Sequence, residues 1–295
     1  MPLPCCAAMS DLRHGYAELD AVRLHYVEAG TGPLVVLLHG FPGLWYAWRG
    51  QIDALAAAGF RVVAPDMRGY NLSSKPAGVA SYALALLTAD VRDLIVERGG
   101  QDGARLAGHD WGGMVAWATA AHHPASVQRL AILNMPHPQR MLEGLRTGRQ
   151  LRKSWYILAF QLPWASERLL RRRRFEALRR PLEHDARAGA FSPGDIDRYV
   201  EAWSQPGALT AMLRYYRATL RARLSRTPEK LAPVTAPTLI IWGERDRHLG
   251  AELAQPHAAD VPSLERVVRI PTASHWVAHD EPELVSRLLI EFFGA

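Results

Sequence analysis

No apolar run in the chain approaches the roughly 18–20 residues of a membrane-spanning helix, so no such span is expected. The opening stretch, MPLPCCAAMSDLRHG, lacks a charged n-region, and its apolar run is too short for a secretory signal. Cysteine is nearly absent. Cys5 and Cys6 are the only two, adjacent in what reads as a loose tail. They give neither a metal-ligand spacing nor a disulfide framework, which points to a reducing cytoplasm. Met9, just beyond them, is a second candidate start. Internal repeats and low-complexity linkers are lacking too. What remains is an ordinary globular mix, 48% hydrophobic and 22% charged over 295 residues. That is material for one large α/β domain or two small ones.

The chain alternates strands and helices over its first half. Residues 16–28 alternate weakly and read as a hairpin. Residues 33–38 are a continuous apolar run, the mark of a strand buried on both faces of a parallel sheet. After His39-Gly40-Phe41-Pro42-Gly43, a helix carries Trp45, Trp48, Ile52 and Leu55 at helical spacing. Strands follow at 61–64, 104–107 and 127–133, with an amphipathic helix at 82–98. From about residue 139 to 232 the pattern changes to helical spacing alone. It returns with strands at 238–243 and 264–270 and a closing helix at 281–293. This predicts an α/β fold, a doubly wound and mostly parallel sheet, with an inserted all-α lid. The expected division is a core of residues 1–138 and 233–295 with a helical cap at 139–232. A cap there would cover the carboxyl ends of the strands, where open α/β sheets bind their ligands.

Charge divides at the same boundary. Residues 139–232 hold 20 Lys/Arg against 9 Asp/Glu, a net of +11, and the rest of the chain nets −5. Arg171-Arg172-Arg173-Arg174, with Arg179 and Arg180, is the centre of the excess. A solvated helix face is the plain reading. Polyanion binding by the basic cap is the alternative, although no nucleic-acid recognition motif accompanies the run.

The chemistry gathers around Gly108-His109-Asp110-Trp111-Gly112-Gly113. Small residues flank one acid between a strand and a helix, the pattern of a nucleophile elbow with Asp as its central residue. The competing reading is an N-cap Asp after a Gly-rich loop. Asp246 follows the strand ending at Gly243, and His275 lies beyond the next strand. Each alone could be a turn acid or a loop histidine. His39, His109 and His279 compete for the role of base; the first two have structural explanations, and His279 lies beside the last helix.

Taken together, these segments resemble the epoxide hydrolase branch of the α/β-hydrolase fold family, which is related to the haloalkane and fluoroacetate dehalogenases. The resemblance covers nearly the whole chain. It rests on His39-Gly40-Phe41-Pro42, Trp45-Tyr46-Ala47-Trp48-Arg49, Asp66-Met67-Arg68-Gly69-Tyr70 and the Asp110 elbow, and in the cap on Ser154-Trp155-Tyr156, Phe160-Gln161-Leu162-Pro163 and Tyr215-Tyr216-Arg217. It implies Asp110 as nucleophile, Asp246 and His275 as the water-activating pair, and Tyr156 and Tyr216 as phenols holding the epoxide oxygen. Phe41 and Trp111 would supply oxyanion-hole N–H groups, with a cis peptide before Pro42. His39, Pro42 and Trp276 would line the substrate pocket. No metal or cofactor is implied, and the partners are a small epoxide and water, without nucleic acid or membrane span.

The residue types fit that chemistry. A carboxylate is ionised at neutral pH without help, whereas a serine needs a base. Its attack on an acyl carbon would give an anhydride, but on a saturated carbon it gives a stable ester. Asp at the elbow therefore argues for alkyl transfer. The epoxide oxygen leaves as an alkoxide, and tyrosine, with a pKa of about 10, can donate to it at pH 7. Packing is the other reading of Tyr156 and Tyr216, and Tyr215 takes the place of Tyr216 if the helix register shifts by one. A dehalogenase is the runner-up, with Trp111 as halide donor. Phe41 stands where haloalkane dehalogenases often carry Asn, and Trp111 where fluoroacetate dehalogenases tend to carry Arg.

Overall fold

The computed structural model describes residues 12–99, 102–224 and 231–295. Cys5, Cys6 and Met9, on which the expectations about compartment and start site rest, lie outside them. Eight strands form one sheet: β1 (Arg13–Glu18), β2 (Arg23–Ala29), β3 (Leu34–Leu38), β4 (Arg61–Pro65), β5 (Ala104–His109), β6 (Val127–Leu133), β7 (Thr238–Gly243) and β8 (Leu264–Ile270). Their order is β1-β2-β4-β3-β5-β6-β7-β8. The β1–β2 hairpin joins antiparallel through β2–β4, and every later pairing is parallel. β3 and β7 are buried at every position, as strands covered on both faces must be.

Helices α1 (Arg49–Ala57), α2 (Leu84–Gly99) and α3 (Trp111–His122) belong to the first half of the sheet. The chain leaves β3 toward β4 on one side and returns to β5 on the other, so strand order reverses at β3. The carboxyl ends of β3 and β5, carrying His39 and Asp110, meet at that switch point, where such sheets open a crevice. Two helix starts differ from expectation. Trp45–Trp48 is a turn of 3₁₀ helix ahead of α1, and Ala80–Tyr82 is another, separated from α2 by an extended Ala83. Trp45, Trp48, Ile52 and Leu55 are all buried nonetheless, because 3₁₀ and α turns both return a side chain to one face after three residues.

Between β6 and β7 run α4 (Pro138–Gly144), α5 (Gly148–Lys153), α6 (Trp155–Ala159), α7 (Ala165–Arg180), α8 (Pro193–Ser204) and α9 (Ala208–Leu224). The arginine run is exposed, as a solvated face would be, but it is not one helix face. Arg172 leaves the helical region, and Arg173, Arg174 and Phe175 take φ values of 47°, 55° and 57°. Left-handed residues with a Cβ cost roughly 1–2 kcal/mol each. Phe175, turned inward by that break, packs its ring 5.8 Å from Trp203. After β8, α10 (Val277–Asp280) and α11 (Pro282–Gly294) close the chain. Among the described residues no helix is long and apolar enough to cross a membrane.

Candidate active site

Asp110 joins β5 to α3 with φ 50° and ψ −122°, a strained conformation that turns the chain sharply and exposes its carboxylate at the strand end. The small neighbours are sterically required. A Cβ on Gly112 would lie 2.1 Å from the Leu38 carbonyl oxygen, and one on Gly40 would lie 2.4 Å from the Asp110 Cβ. With Gly40 in place, the loop carrying the cis Phe41–Pro42 peptide closes over the elbow. The Phe41 N–H donates to Asp110 Oδ1 at 2.7 Å, and the Trp111 backbone N–H also bonds the carboxylate. Burial pushes the Asp110 carboxyl above its ordinary range, while His275 and these two N–H groups pull it down without fully cancelling the shift.

Asp246 and His275 meet beside it. His275 Nδ1 donates to Asp246 Oδ2 at 2.8 Å, and His275 Nε2 stands 3.6 Å from Asp110 Oδ2. Asp246 is held on every side: Oδ1 accepts the His248 and Leu249 N–H groups at 2.7 and 2.8 Å, and Oδ2 accepts Asn134 Nδ2 at 2.8 Å. Burial opposes its charge, but His275 and these donors hold the carboxyl far below the usual range. Burial likewise opposes a charged His275, yet Asp246 and then Asp110 raise its pKa above the ordinary value.

The competing histidines are engaged elsewhere. His39 is fully buried; its Nε2 accepts the Met67 N–H at 3.0 Å and its Nδ1 donates to the Gly40 carbonyl. It does not line the cavity, so its expected place in the substrate pocket is corrected: the ring braces the loop from behind. His109 Nε2 donates to the His275 carbonyl, and burial with the neighbouring His275 lowers its pKa to about 3. The His279 ring stacks on Phe191 with centroids 4.4 Å apart, away from Asp110.

Above the elbow lies a cavity of about 650 Å³, lined by Asp110, His275, Phe41, Pro42, Trp276, Tyr156 and Tyr216 among others. Tyr156 comes from α6 and Tyr216 from α9, their ring centroids 6.1 Å apart. Tyr215 points elsewhere, donating to the Arg68 carbonyl at 2.7 Å, so the register question resolves onto Tyr216. Burial, then nearby Asp110, raises the pKa of Tyr156; burial and Tyr156 raise that of Tyr216. Both phenols therefore remain protonated donors at neutral pH. The Trp111 ring stands edge-on to that of Tyr216, with centroids 5.1 Å apart.

Comparison with known proteins identifies the family. Residues 33–282 match a family model described as the alpha/beta hydrolase fold. The AB hydrolase superfamily protein YfhM of Bacillus subtilis is 41% identical, covering 96% of this chain and 99% of its own. Epoxide hydrolase 4 of Homo sapiens is 37% identical over 98% of this chain and 81% of its own. A crystal structure of Bacillus megaterium epoxide hydrolase in complex with an inhibitor superposes with a TM-score of 0.86 at 34% identity, covering 95% of this chain and all of that one. The chain belongs to the epoxide hydrolase branch of the α/β-hydrolase family.

Three residues of this family member escape a reading by motif. Asn134, one residue past β6 with φ 41°, bonds both Asp246 and the backbone at Gly243. Its position at a strand end was the available signal; its partner lies 112 positions away. Lys153 Nζ donates to the Asp246 carbonyl at 2.7 Å and so ties α5 to the acid loop. His248 lines the cavity with its ring 5.2 Å from that of His275, and burial, then His275, lowers its pKa to about 4. It is thus a neutral imidazole beside the base. Only its place two residues after Asp246 hinted at this.

Proposed function

We propose that this protein opens epoxides to vicinal diols through a covalent ester on Asp110. The observation that carries the reading is the convergence of one carboxylate, two protonated phenols and one acid-paired histidine on a single cavity. An Asp110 oxygen attacks an epoxide carbon, and the C–O bond breaks toward an oxygen held and protonated by Tyr156 and Tyr216. His275 then takes a proton from water, and the hydroxide attacks the ester carbonyl of Asp110. The oxyanion that forms there is stabilised by the Phe41 and Trp111 N–H groups, typically worth about 3–4 kcal/mol each. Its collapse releases the diol, the His275 proton returns to the leaving oxygen, and the proton the hydroxide leaves on the Asp110 carboxyl restores the ionised tyrosine. Asp246 orients the imidazole throughout.

Residues 139–232 act in this reading as a cap contributing both phenols, and residues 1–138 with 233–295 as the core contributing nucleophile, acid and base. Pro42 and Trp276 are pocket walls. The nearly cysteine-free composition supports a cytoplasmic site of action. The runner-up, dehalogenation, would need a second halide donor beside the Trp111 indole N–H, and Phe41 stands where haloalkane dehalogenases often carry Asn.

The test is single-turnover hydrolysis in heavy-oxygen water, alongside a turnover screen of aryl, alkyl and fatty-acid epoxides, haloalkanes and fluoroacetate. Diol without halide release is expected, with label entering the Asp110 carboxylate in the first cycle. Label entering the diol first would make Asp110 a general base, and halide release would return the runner-up.

A further inference from the structure

The rim of the cavity carries an apolar surface that the chemistry does not use. Leu151, Trp155, Leu158 and Leu162 follow at spacings of four, three and four residues, one face of a helical path through α5 and α6. All four are exposed, Trp155 by 66%, and beyond them Trp164 is 85% exposed. Leu169 on α7 is exposed as well. Trp155, Leu162 and Leu169 also line the cavity, so the exposed face is continuous with its wall where that wall meets solvent. Apolar surface gathered in one place, rather than scattered, marks an interaction site.

Charge narrows what it meets. Residues 148–166 contain no acid, while Arg152 interleaves with the apolar positions, its neighbour Lys153 turned in to the Asp246 carbonyl and Arg149 paired with Glu252. Beside Leu169 stand Arg168, Arg171 and Arg172, exposed and, among the described residues, without an ion pair. We propose that this face docks on an anionic lipid bilayer. The Trp and Leu side chains enter the boundary between headgroups and acyl chains, and the arginines reach lipid phosphates. A second copy fits the same face poorly, because a two-fold contact would set unpaired arginines against their own equivalents. Docked this way, the cavity mouth opens against the membrane, and an apolar epoxide can pass from lipid to Asp110; that last consequence rests on the function proposed above.

Co-sedimentation with vesicles tests the docking without turnover, so its outcome and that of the epoxide screen are separable. Vesicles of phosphatidylglycerol mixed with phosphatidylcholine should carry down about tenfold more protein than phosphatidylcholine alone, and high salt should remove most of that excess. Leu151→Ser, Leu158→Ser and Trp164→Ser together change three residues that do not line the cavity. They should lower binding to the anionic vesicles about tenfold while leaving turnover of a water-dissolved epoxide unchanged. Arg168→Glu with Arg171→Glu should erase the preference for anionic lipid. The proposal is overturned if the unaltered protein stays in the supernatant or if the triple variant binds as well as it does. A concentration-dependent dimer that the triple variant dissolves would overturn it too, by assigning the face to a second copy.

Discussion

His275 stands between two carboxylates with opposite tasks, hydrogen-bonded to Asp246 and 3.6 Å from an Asp110 oxygen. As a base it must be neutral, and because Asp246 raises its pKa, ester hydrolysis should lose rate as pH falls through a value above the ordinary 6.5. Alkylation needs an ionised Asp110 instead, so its acid limb belongs to a carboxyl raised from a much lower ordinary value. Stopped-flow measurement of the two half-reactions across pH should give two separate limbs, and Asp246→Asn should move the hydrolytic one downward by more than the other, since Asp246 is the main cause raising His275 and a minor one raising Asp110. His275→Gln cannot take a proton from water while Asp110 and the phenols are intact. Intact-protein mass should then rise by one substrate, with the adduct on the peptide containing Asp110. Unimpaired turnover by that variant would reassign the base. Tyr156→Phe or Tyr216→Phe should slow alkylation by about 10²-fold or more and spare hydrolysis, and losing both should nearly abolish alkylation. A double variant with unchanged single-turnover rates would make the tyrosines packing residues.

The β5–α3 elbow fixes where the nucleophile stands, and its tolerance is steric. Gly112→Ala would drive a Cβ into the Leu38 carbonyl, backbone that cannot rotate aside, and should cost about 3 kcal/mol or more. Urea unfolding should register that loss; a variant of unchanged stability would mean that the elbow and β3 separate freely. Such elements were the ones most legible in the chain. β3 and β7 read as unbroken apolar runs because helices cover both sheet faces, and the elbow showed itself through glycines that the close backbone approach demands. The starts at Trp45 and Ala80 were less legible, since a 3₁₀ turn keeps the same apolar spacing as an α turn. The break in α7 left no mark at all, because no Gly or Pro stands among the four arginines. Contacts between elements were equally silent: nothing in the sequence around Asn134 names Asp246, and a neighbouring ring at His248 depends on how a loop folds over the cavity. Tyr215 and Tyr216 differ by one step of α9, and only the Arg68 carbonyl that captures Tyr215 decides which of them faces Asp110.

For the whole molecule, function depends on how firmly the helices between β6 and β7 are held over the sheet, since the phenols come from one side and the nucleophile from the other. Several bonds cross that boundary, among them Trp203 Nε1 to the Pro42 carbonyl at 2.5 Å and Lys153 to the Asp246 carbonyl. Asp195 concentrates the most at one carboxylate. Its Oδ2 accepts from the Ser192 N–H and hydroxyl, closing a capping box on α8, and also from Arg49 at 3.3 Å. Its Oδ1 accepts the Tyr46 hydroxyl at 2.8 Å. Burial opposes the charge, but Ser192, Tyr46 and Arg49 together hold the carboxyl below its ordinary pKa. A depressed folded pKa contributes stability that is present above the unfolded value of about 3.9 and lost as pH falls toward the folded one. Asp195→Ala removes a helix cap and a charged hydrogen bond across the boundary, and should cost about 2–4 kcal/mol at pH 7. The deficit should shrink as pH drops below about 4, because the unaltered protein loses the same charge there. Thermal melts of both proteins from pH 7 to pH 3 measure the difference directly. If the gap is as wide at pH 3 as at pH 7, Asp195 holds α8 to the core by packing, and the carboxylate is not what fastens the phenols above Asp110.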